Sequence, residues 1–225
     1  MLKYLLIVVA LLATSACSAD EKAAAAAAPA EKQWQAGQDY FVLETPQPTS
    51  TGDKIEVLEV FSYACPHCAH FQPYAEELKS KLPANAQFVL LPAVFQPPWE
   101  PFARAFYTAK SLGLLDKTHQ ALFDAIHRDR LPLHTLDDLA NTFYKNYGAD
   151  PANFISTATS FVVEGEMAHG NQLVRDYRID ATPSLIINGK YRVTGLAERG
   201  VGFPEMVQIT LQLVKQEAAA KKTHK

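Results

Sequence analysis

Residues 55–63 form a mostly apolar, β-branched run that reads IEVLEVFSY. A nearly continuous apolar run of this length is typical of a strand that is buried on both faces of a sheet. We therefore predict a central strand from Ile55 to Tyr63.

The apolar positions change to a helical spacing directly after this strand. They predict a helix from Pro66 to about Leu82, because residues three and four apart share one face. The stripe consists of Phe71, Tyr74, Ala75, Leu78 and Leu82. Pro83 follows the helix, and Pro73 lies inside it and is expected to kink it.

Other short apolar runs predict four further strands. They cover residues 40–43, 87–91, 184–187 and 190–193. We expect strand 87–91 to lie parallel to the central strand, since the connecting helix would make a right-handed crossover. Asn188-Gly189 joins the last two runs and predicts a two-residue hairpin.

Between residues 102 and 178 the pattern is helical throughout. Helices are predicted over 102–111 and 117–128, a third begins near Thr135, and a long stretch follows Pro151, with a break at Gly165 or Gly170. Thr135 and Asp138 have the spacing of an N-terminal cap. A final helix is predicted over 204–216, and the tail from Glu217 is expected to be frayed or disordered.

This order of elements predicts an α/β domain that an all-helical domain interrupts. We assign residues 38–96 and 171–218 to the α/β domain, 97–170 to the helical insertion and 219–225 to a tail. Five aromatic residues are expected in the core of the insertion. They are Phe95, Trp99, Phe102, Phe106 and Tyr107.

The first residues have the features of a targeting segment. Lys3 precedes an apolar run over residues 4–13, and small residues follow at 14–16. This predicts a secretory signal peptide over residues 1–16. The run is too short to span a bilayer, which takes about 20 apolar residues. We therefore expect an exported chain, in a compartment that permits disulfides.

Cys17 follows the small residues in a context that resembles a bacterial lipobox. We expect it to become the lipidated first residue, with an alanine-rich tether over 17–37. Cys17 would otherwise be an odd free thiol in an oxidising compartment. The usual leucine is replaced by Thr14, so ordinary cleavage is the alternative. The formal net charge of −3 and the absence of a basic cluster before the tail do not favour nucleic acid.

The chemistry of the chain is expected at Cys65-Pro66-His67-Cys68. Pro66 suits the first helical position, which places Cys65 at the N-cap, where the helix dipole stabilises a thiolate. Cys68 lies one turn later, so the pair can close and reopen a disulfide. The alternatives are buried structural thiols or half of a zinc site. Zinc needs a second ligand pair, and Cys17 is the only other cysteine, so we predict no metal.

The segment from Glu59 to Cys68, together with Thr182-Pro183 and residues 188–191, resembles the DsbA family of periplasmic thiol:disulfide interchange proteins. The similarity extends over about residues 38–216. It implies a protein with a thioredoxin fold and no bound cofactor. Such a protein would oxidise reduced exported proteins. It also implies a monomer that a DsbB-type, quinone-linked membrane oxidase re-oxidises.

Roles within the candidate site follow from the residues and from the resemblance. Cys65 would be the exposed nucleophile, Cys68 the buried resolving thiol, and the His67 imidazole would lower the pKa of Cys65 further. Glu59 is an acid in an apolar strand, and the resemblance implies that it moves a proton for Cys68. The lysine that often accompanies it on the next strand is absent from residues 88–91.

Substrate contacts are expected at three residues. The resemblance implies a cis bond between Thr182 and Pro183, which would present the Thr182 main chain to a bound peptide. Tyr63, just before the cysteines, is expected to contribute to an apolar substrate groove.

Several functions remain as alternatives. One is a disulfide isomerase or reductase of the same fold, and another is a redox-inactive adaptor that binds apolar peptides. The scattered histidines have no metal-ligand spacing and are expected at the surface or at caps. They are His70, His119, His127, His134 and His169.

Overall fold

The computed structural model of the protein describes residues 32–223. The predicted signal peptide, Cys17 and most of the tether lie outside the described residues. The packed unit begins at Trp34, before the predicted start at Gln38. The Trp34 side chain is buried, and its main chain exchanges two 3.0 Å hydrogen bonds with the Gln212 side chain.

Five strands of the described residues form one mixed sheet in the order β1-β5-β4-β2-β3. They are β1 (Phe41–Val42), β2 (Ile55–Phe61), β3 (Ala86–Pro92), β4 (Ser184–Ile187) and β5 (Tyr191–Thr194). Strands β2 and β3 are parallel, as predicted, and the other pairs are antiparallel. Every residue of β2 is buried, which confirms the central strand.

The predicted hairpin joins β4 to β5. Asn188 and Gly189 both have positive φ, 51° and 66°, as a two-residue hairpin turn requires. A Cβ at Gly189 would lie 2.1 Å from the main-chain oxygen of Gln47, so the position has no room for a side chain.

Helix α1 (Pro66–Lys81) follows β2 as predicted, with Cys65 at its N-cap and Pro66 in its first turn. Pro73 lies inside the helix. The helix ends at Lys81 because Leu82 takes an extended conformation just before Pro83. Its buried residues are Cys68, Phe71, Gln72, Ala75 and Leu78. Phe71, Ala75 and Leu78 pack against the sheet and the last helix, whereas Cys68 packs with the helices that follow β3.

The segment between β3 and β4 is helical, as predicted. It contains α2 (Glu100–Ser111), α3 (Leu115–Phe123), a π-helical turn (Asp124–Arg128), the short α4 (Leu136–Asp138), α5 (Pro151–Ala158) and α6 (Phe161–Asp176). The Thr135 cap is confirmed, since its hydroxyl accepts from the Asp138 amide at 3.1 Å and the Asp138 carboxylate accepts from the Thr135 amide at 2.9 Å.

The predicted break at Gly165 or Gly170 is wrong. The chain breaks between α5 and α6, where the Ser160 hydroxyl accepts from the Val163 amide and starts a new helix. Gly170 lies inside α6, where a Cβ would come within 2.2 Å of the Tyr107 hydroxyl. This glycine therefore permits close packing and does not end the helix.

The helical segment and the end of β2 share one core. Phe61 packs there with Phe106 and Phe123, at ring distances of 5.6 and 5.8 Å. Helix α6 contributes to this core and to the sheet, so the assigned boundary at 170/171 falls within a helix. Phe95 was expected in the core but is 40% exposed, because it follows β3 at the surface, where its ring lies 5.5 Å from that of Trp99.

The last helix is longer than predicted. Helix α7 covers Phe203–Thr223, so residues after Gln216 do not fray at once. The buried Glu217 carboxylate accepts hydrogen bonds from Asn188, Lys190 and Tyr191, which fastens the helix to the β4–β5 hairpin. Within residues 32–223, no helix is both long and apolar enough for a membrane span.

Candidate functional site

Cys65 and Cys68 lie where β2 ends and α1 begins. Both are free thiols in this structure. Cys68 is fully buried, as expected, whereas Cys65 is only 6% exposed and therefore more enclosed than the sequence suggested. Shared packing with the helical segment accounts for this, because both cysteines belong to the same core as the helices after β3.

The surroundings of Cys65 favour its thiolate. Its pKa is lowered to about 5, chiefly because the Cys68 thiol hydrogen-bonds to its sulfur. Burial opposes this effect, while the Thr182 side chain and the main-chain N–H groups of His67 and Cys68 lower the pKa further. Both N–H groups belong to the first turn of α1, where the positive end of the helix dipole stabilises a thiolate.

The pKa of Cys68 is shifted in the opposite direction, upwards. Burial raises its pKa strongly, and the hydrogen bond to Cys65 and the nearby Glu59 carboxyl raise it further. The pKa values of the two thiols are thus pushed apart, so at neutral pH Cys65 is the thiolate and Cys68 the protonated thiol.

His67 lies in the first turn of α1 with its side chain exposed. Its contribution to the low pKa of Cys65 comes from its main-chain N–H. The sequence suggested that the imidazole lowers the pKa of Cys65. In the structure, the main-chain N–H of His67 has this effect.

The loop before β4 reaches the site through Thr182. The Thr182–Pro183 peptide bond is cis, as the resemblance implies. The Cys65 sulfur lies 3.5 Å from the main-chain oxygen of Thr182. Thr182 is half-buried, and Pro183 is buried. The pairing of β4 with β2 carries this loop to Cys65.

Glu59 is fully buried in the middle of β2, between Leu90 of β3 and Leu185 of β4. Burial raises its pKa to about 7. The opposing effects come from α1, where Lys79 supplies a positive charge and the Gln72 amide donates to Glu59 Oε1 at 3.5 Å. The Lys79 ammonium itself pairs with the Glu76 carboxylate at 2.7 Å, so its effect on the pKa of Glu59 is electrostatic and not that of a direct ion pair.

Tyr63 does not line a substrate groove, contrary to expectation. It is 1% exposed, because the helical segment covers it. Its hydroxyl hydrogen-bonds His119 Nδ1 at 2.8 Å, and its main-chain oxygen accepts from His127 Nε2 at 2.7 Å.

His119 and His127 were thus missed as neighbours of the site. The expectation of a surface or capping position is wrong for His119, whereas His127 is half-buried in the last turn of the π-helical segment. His119 is buried, and this burial lowers its pKa to about 3, so it is neutral at physiological pH. Their spacing of eight residues, about two helical turns, was the available signal that they share a face. His70, His134 and His169 are exposed.

An open cleft of about 480 Å³ adjoins the site through Ala64, the residue before Cys65. Its walls are the Pro97–Trp99 turn, the start of α2 and the loop after the π-helical turn. Anywhere within residues 32–223, no three His, Cys, Asp or Glu side chains are placed to hold a metal ion.

Comparisons with known proteins agree with this architecture. A family model described as Thioredoxin matches residues 51–196. The thiol:disulfide interchange protein DsbA of Pseudomonas aeruginosa is 37% identical over 189 residues, which cover 84% of this chain and 88% of that protein. The protein of the same name from Bordetella pertussis is 33% identical over 189 residues, with the same coverage.

Solved structures are similar over nearly the same region. The crystal structure of Pseudomonas aeruginosa DsbA superposes with a TM-score of 0.76 at 36% identity, covering 84% of this chain and 97% of that chain. The oxidoreductase NmDsbA3 from Neisseria meningitidis gives a TM-score of 0.69 at 31% identity, covering 83% and 98%.

Proposed function

The chain belongs to the DsbA family of thioredoxin-fold thiol:disulfide oxidoreductases, and we propose that it oxidises thiol pairs in exported proteins through Cys65 and Cys68. The observation that carries this proposal is the arrangement of the two thiols: the Cys68 thiol hydrogen-bonds to the Cys65 sulfur, which lowers the pKa of Cys65 to about 5, while burial raises the pKa of Cys68. A pair tuned in this way has one sulfur that leaves readily and one that is held protonated.

The proposed reaction begins with the Cys65–Cys68 disulfide. A substrate thiolate attacks Cys65 Sγ and forms a mixed disulfide, while the electron pair of the broken bond goes to Cys68, which takes up a proton. A second substrate thiolate attacks the substrate sulfur of the mixed disulfide and releases Cys65 as a thiolate. The substrate loses two electrons to the cysteine pair and forms its own disulfide.

The direction of the reaction follows from the stability of the leaving group. A thiolate with a pKa of about 5 is stable at neutral pH, so the reduced form of the pair is favoured. A pair whose reduced form is stabilised accepts electrons from substrate thiols and is therefore an oxidant.

Glu59 is the proposed proton donor and acceptor for Cys68. Its pKa of about 7 lets it change protonation near physiological pH. The Gln72 amide links the two residues, since it donates to Glu59 Oε1 and to the Cys68 main-chain oxygen, at 3.5 and 3.3 Å.

Thr182 and His67 are proposed to act at the substrate side of Cys65. The main-chain oxygen of Thr182, 3.5 Å from the sulfur, would pair with the backbone of a bound substrate. The exposed His67 imidazole, in the turn between the two thiols, would contact the same substrate.

The compartment and the partners are proposed from the N-terminal sequence and the family. The signal peptide over residues 1–16 would direct the chain to the periplasm and be removed there, and a lipid on Cys17 would hold the chain at a membrane. Reduced exported proteins would be its substrates, and a DsbB-type, quinone-linked membrane oxidase would restore the disulfide. Intact mass spectrometry of membrane-extracted protein tests the anchor, which requires an acylated Cys17.

The reduction potential of the Cys65–Cys68 pair tests the proposed direction. It is measured by equilibrating a Cys17→Ser chain, which retains only the site cysteines, with glutathione buffers. We expect a potential more oxidising than that of glutathione. A potential near that of thioredoxin would favour the reductase alternative, and a pair that does not equilibrate would favour the redox-inactive adaptor.

A further inference from the structure

The cleft beside Cys65, here called the Ala64 cleft, has an apolar lining. Its apolar wall includes Ala64, Trp99, Phe102, Ile126, Leu131 and Leu133. Leu131 is 38% exposed at the rim, so part of this apolar surface faces solvent. The lining therefore suits an apolar side chain from outside the protein.

The position of the cleft ties it to the chemistry of the site. Ala64 is bonded directly to Cys65, so the cleft begins within one residue of the reacting sulfur. Consecutive Cα atoms are about 3.8 Å apart, so the residues next to a cysteine that reacts with Cys65 lie within reach of the cleft.

Among the described residues, the cleft is lined by a positively charged side chain and by no negatively charged one. Arg130 and His134 are its titratable lining residues, and within the described part of the chain no carboxylate lines it. The neighbouring Arg128 is paired with Asp124 and Asp129, at 2.9 and 2.8 Å. Within residues 32–223 the Arg130 guanidinium has no such partner.

Arg130 is also held in an uncommon conformation. Its φ is 53°, in the left-handed region that residues other than glycine rarely adopt. Hydrogen bonds from the Asp129 and Leu131 amides to the oxygens of Asp124 and Ala125, both at 2.9 Å, fix the chain on either side. The backbone at Arg130 is thus fixed at the cleft.

We propose that the Ala64 cleft binds the substrate segment beside the reacting cysteine, and that it selects an apolar side chain accompanied by a carboxylate. The apolar side chain fills the cleft and the carboxylate pairs with the Arg130 guanidinium. This inference rests on the proposed function, since the segment is brought to the cleft by its disulfide exchange with Cys65.

The charge selectivity should be modest and sensitive to salt. An ion pair at an exposed rim changes a rate by about two- to fivefold, and added salt screens it. The apolar contact adds to the rate without responding to salt.

The test measures reduction of the Cys65–Cys68 disulfide by four peptides that share two cysteines. Beside the first cysteine they carry either leucine or serine, and either glutamate or lysine. Each is reacted with the oxidised Cys17→Ser chain and with its Arg130→Gln, Arg130→Glu and Arg128→Gln variants. Oxidation of glutathione by each variant serves as the check that the Cys65–Cys68 pair is still redox-active.

We expect the leucine–glutamate peptide to react fastest with the chain that retains Arg130. The preference for glutamate over lysine should vanish in Arg130→Gln, invert in Arg130→Glu and persist in Arg128→Gln, whose arginine is already paired. Comparing ratios between variants cancels the effect of each neighbour on the peptide thiol itself.

Two outcomes would overturn the inference. One is an equal glutamate preference with and without Arg130. The other is a dimer that Leu131→Glu dissociates, which would assign the cleft to a second copy of the chain. Failure of every variant to oxidise glutathione would instead reject the proposed function, so the two failures are distinguishable.

Discussion

His127 Nε2 donates a hydrogen bond of 2.7 Å to the main-chain oxygen of Tyr63, two residues before Cys65. The turn from Ser62 to Cys65 also has internal hydrogen bonds. The Cys65 amide donates to the Ser62 main-chain oxygen, and the Ala64 amide donates to the Ser62 hydroxyl. The helices inserted between β3 and β4 thus take part in holding the turn that presents Cys65.

Replacing His127 should disturb Cys65 even though the imidazole does not touch its sulfur. His127→Leu leaves the Tyr63 oxygen without its donor, which costs about 1–3 kcal/mol of stability for a buried group. We also expect the pKa of Cys65 to rise from about 5, because its position at the helix N-cap is loosened. Urea unfolding and ultraviolet titration of the thiolate measure the two effects.

His127→Gln is the matched control, since its amide can donate to the same oxygen. It should restore most of the stability and of the Cys65 titration. If leucine and glutamine shift the Cys65 pKa equally, the hydrogen bond has no role in positioning the thiol.

The hydroxyl of Tyr63 should matter for stability alone. Tyr63→Phe leaves His119 Nδ1 buried without its partner, at a cost of about 1–3 kcal/mol. The main-chain hydrogen bond to His127 remains, so the Cys65 titration should not move. A shift of the thiolate midpoint in this variant would contradict the separation of the two contacts.

The Cys68 thiol is the largest cause of the low pKa of Cys65, which gives a direct prediction. Cys68→Ala removes the donor and should raise the Cys65 pKa from about 5 towards its ordinary value. Cys68→Ser keeps a hydroxyl donor and should raise it less. The order of the three midpoints in a thiolate titration tests this, and equal midpoints would point to the main-chain N–H groups instead.

Local features of the candidate site were predictable from the sequence. The continuous apolar run predicts the buried strand β2, and Pro66 after Cys65 predicts the helix start and the capped thiol. These features depend on neighbours within one or two turns, where spacing and backbone preference decide the structure.

The missed features depend on long-range packing. Tyr63 meets His119 and His127, which are 56 and 64 residues away, so no local pattern could show that it is buried. Lys79 lies in the last turn of α1, and its effect on the pKa of Glu59 depends on how that helix packs on the sheet. Such contacts require the assembled fold.

The length of α7 also depends on a distant contact, which can be tested. Glu217→Gln replaces the buried carboxylate that accepts from Lys190 at 2.7 Å and from Tyr191 at 3.2 Å. We expect a loss of about 1–3 kcal/mol, because hydrogen bonds to a charged group are weakened or lost. Lys215→Gln, in the same helix but outside this cluster, is the control. Faster hydrogen exchange should be confined to the end of α7 and the β4–β5 hairpin, and protection equal to wild type would contradict the anchoring role.

Glu59 should make the oxidised protein less stable as the pH rises. Burial raises its pKa from 4.5 to about 7, so the folded chain keeps a proton that the unfolded chain has lost. The stabilisation is complete below pH 4.5 and is lost as the pH rises through about 7, a difference of roughly 3 kcal/mol. Working with the oxidised form removes the Cys65 thiolate, whose lowered pKa would change stability in the opposite direction.

Unfolding by urea at a series of pH values measures this loss, and Glu59→Gln should abolish it. Lys79→Met removes the charge that lowers the pKa of Glu59, so it should move the loss to higher pH. If stability depends on pH in Glu59→Gln as strongly as in the natural chain, Glu59 is not the titrating group. The pH dependence would then have to come from elsewhere, and Glu59 could not be the proton donor for Cys68 near neutral pH.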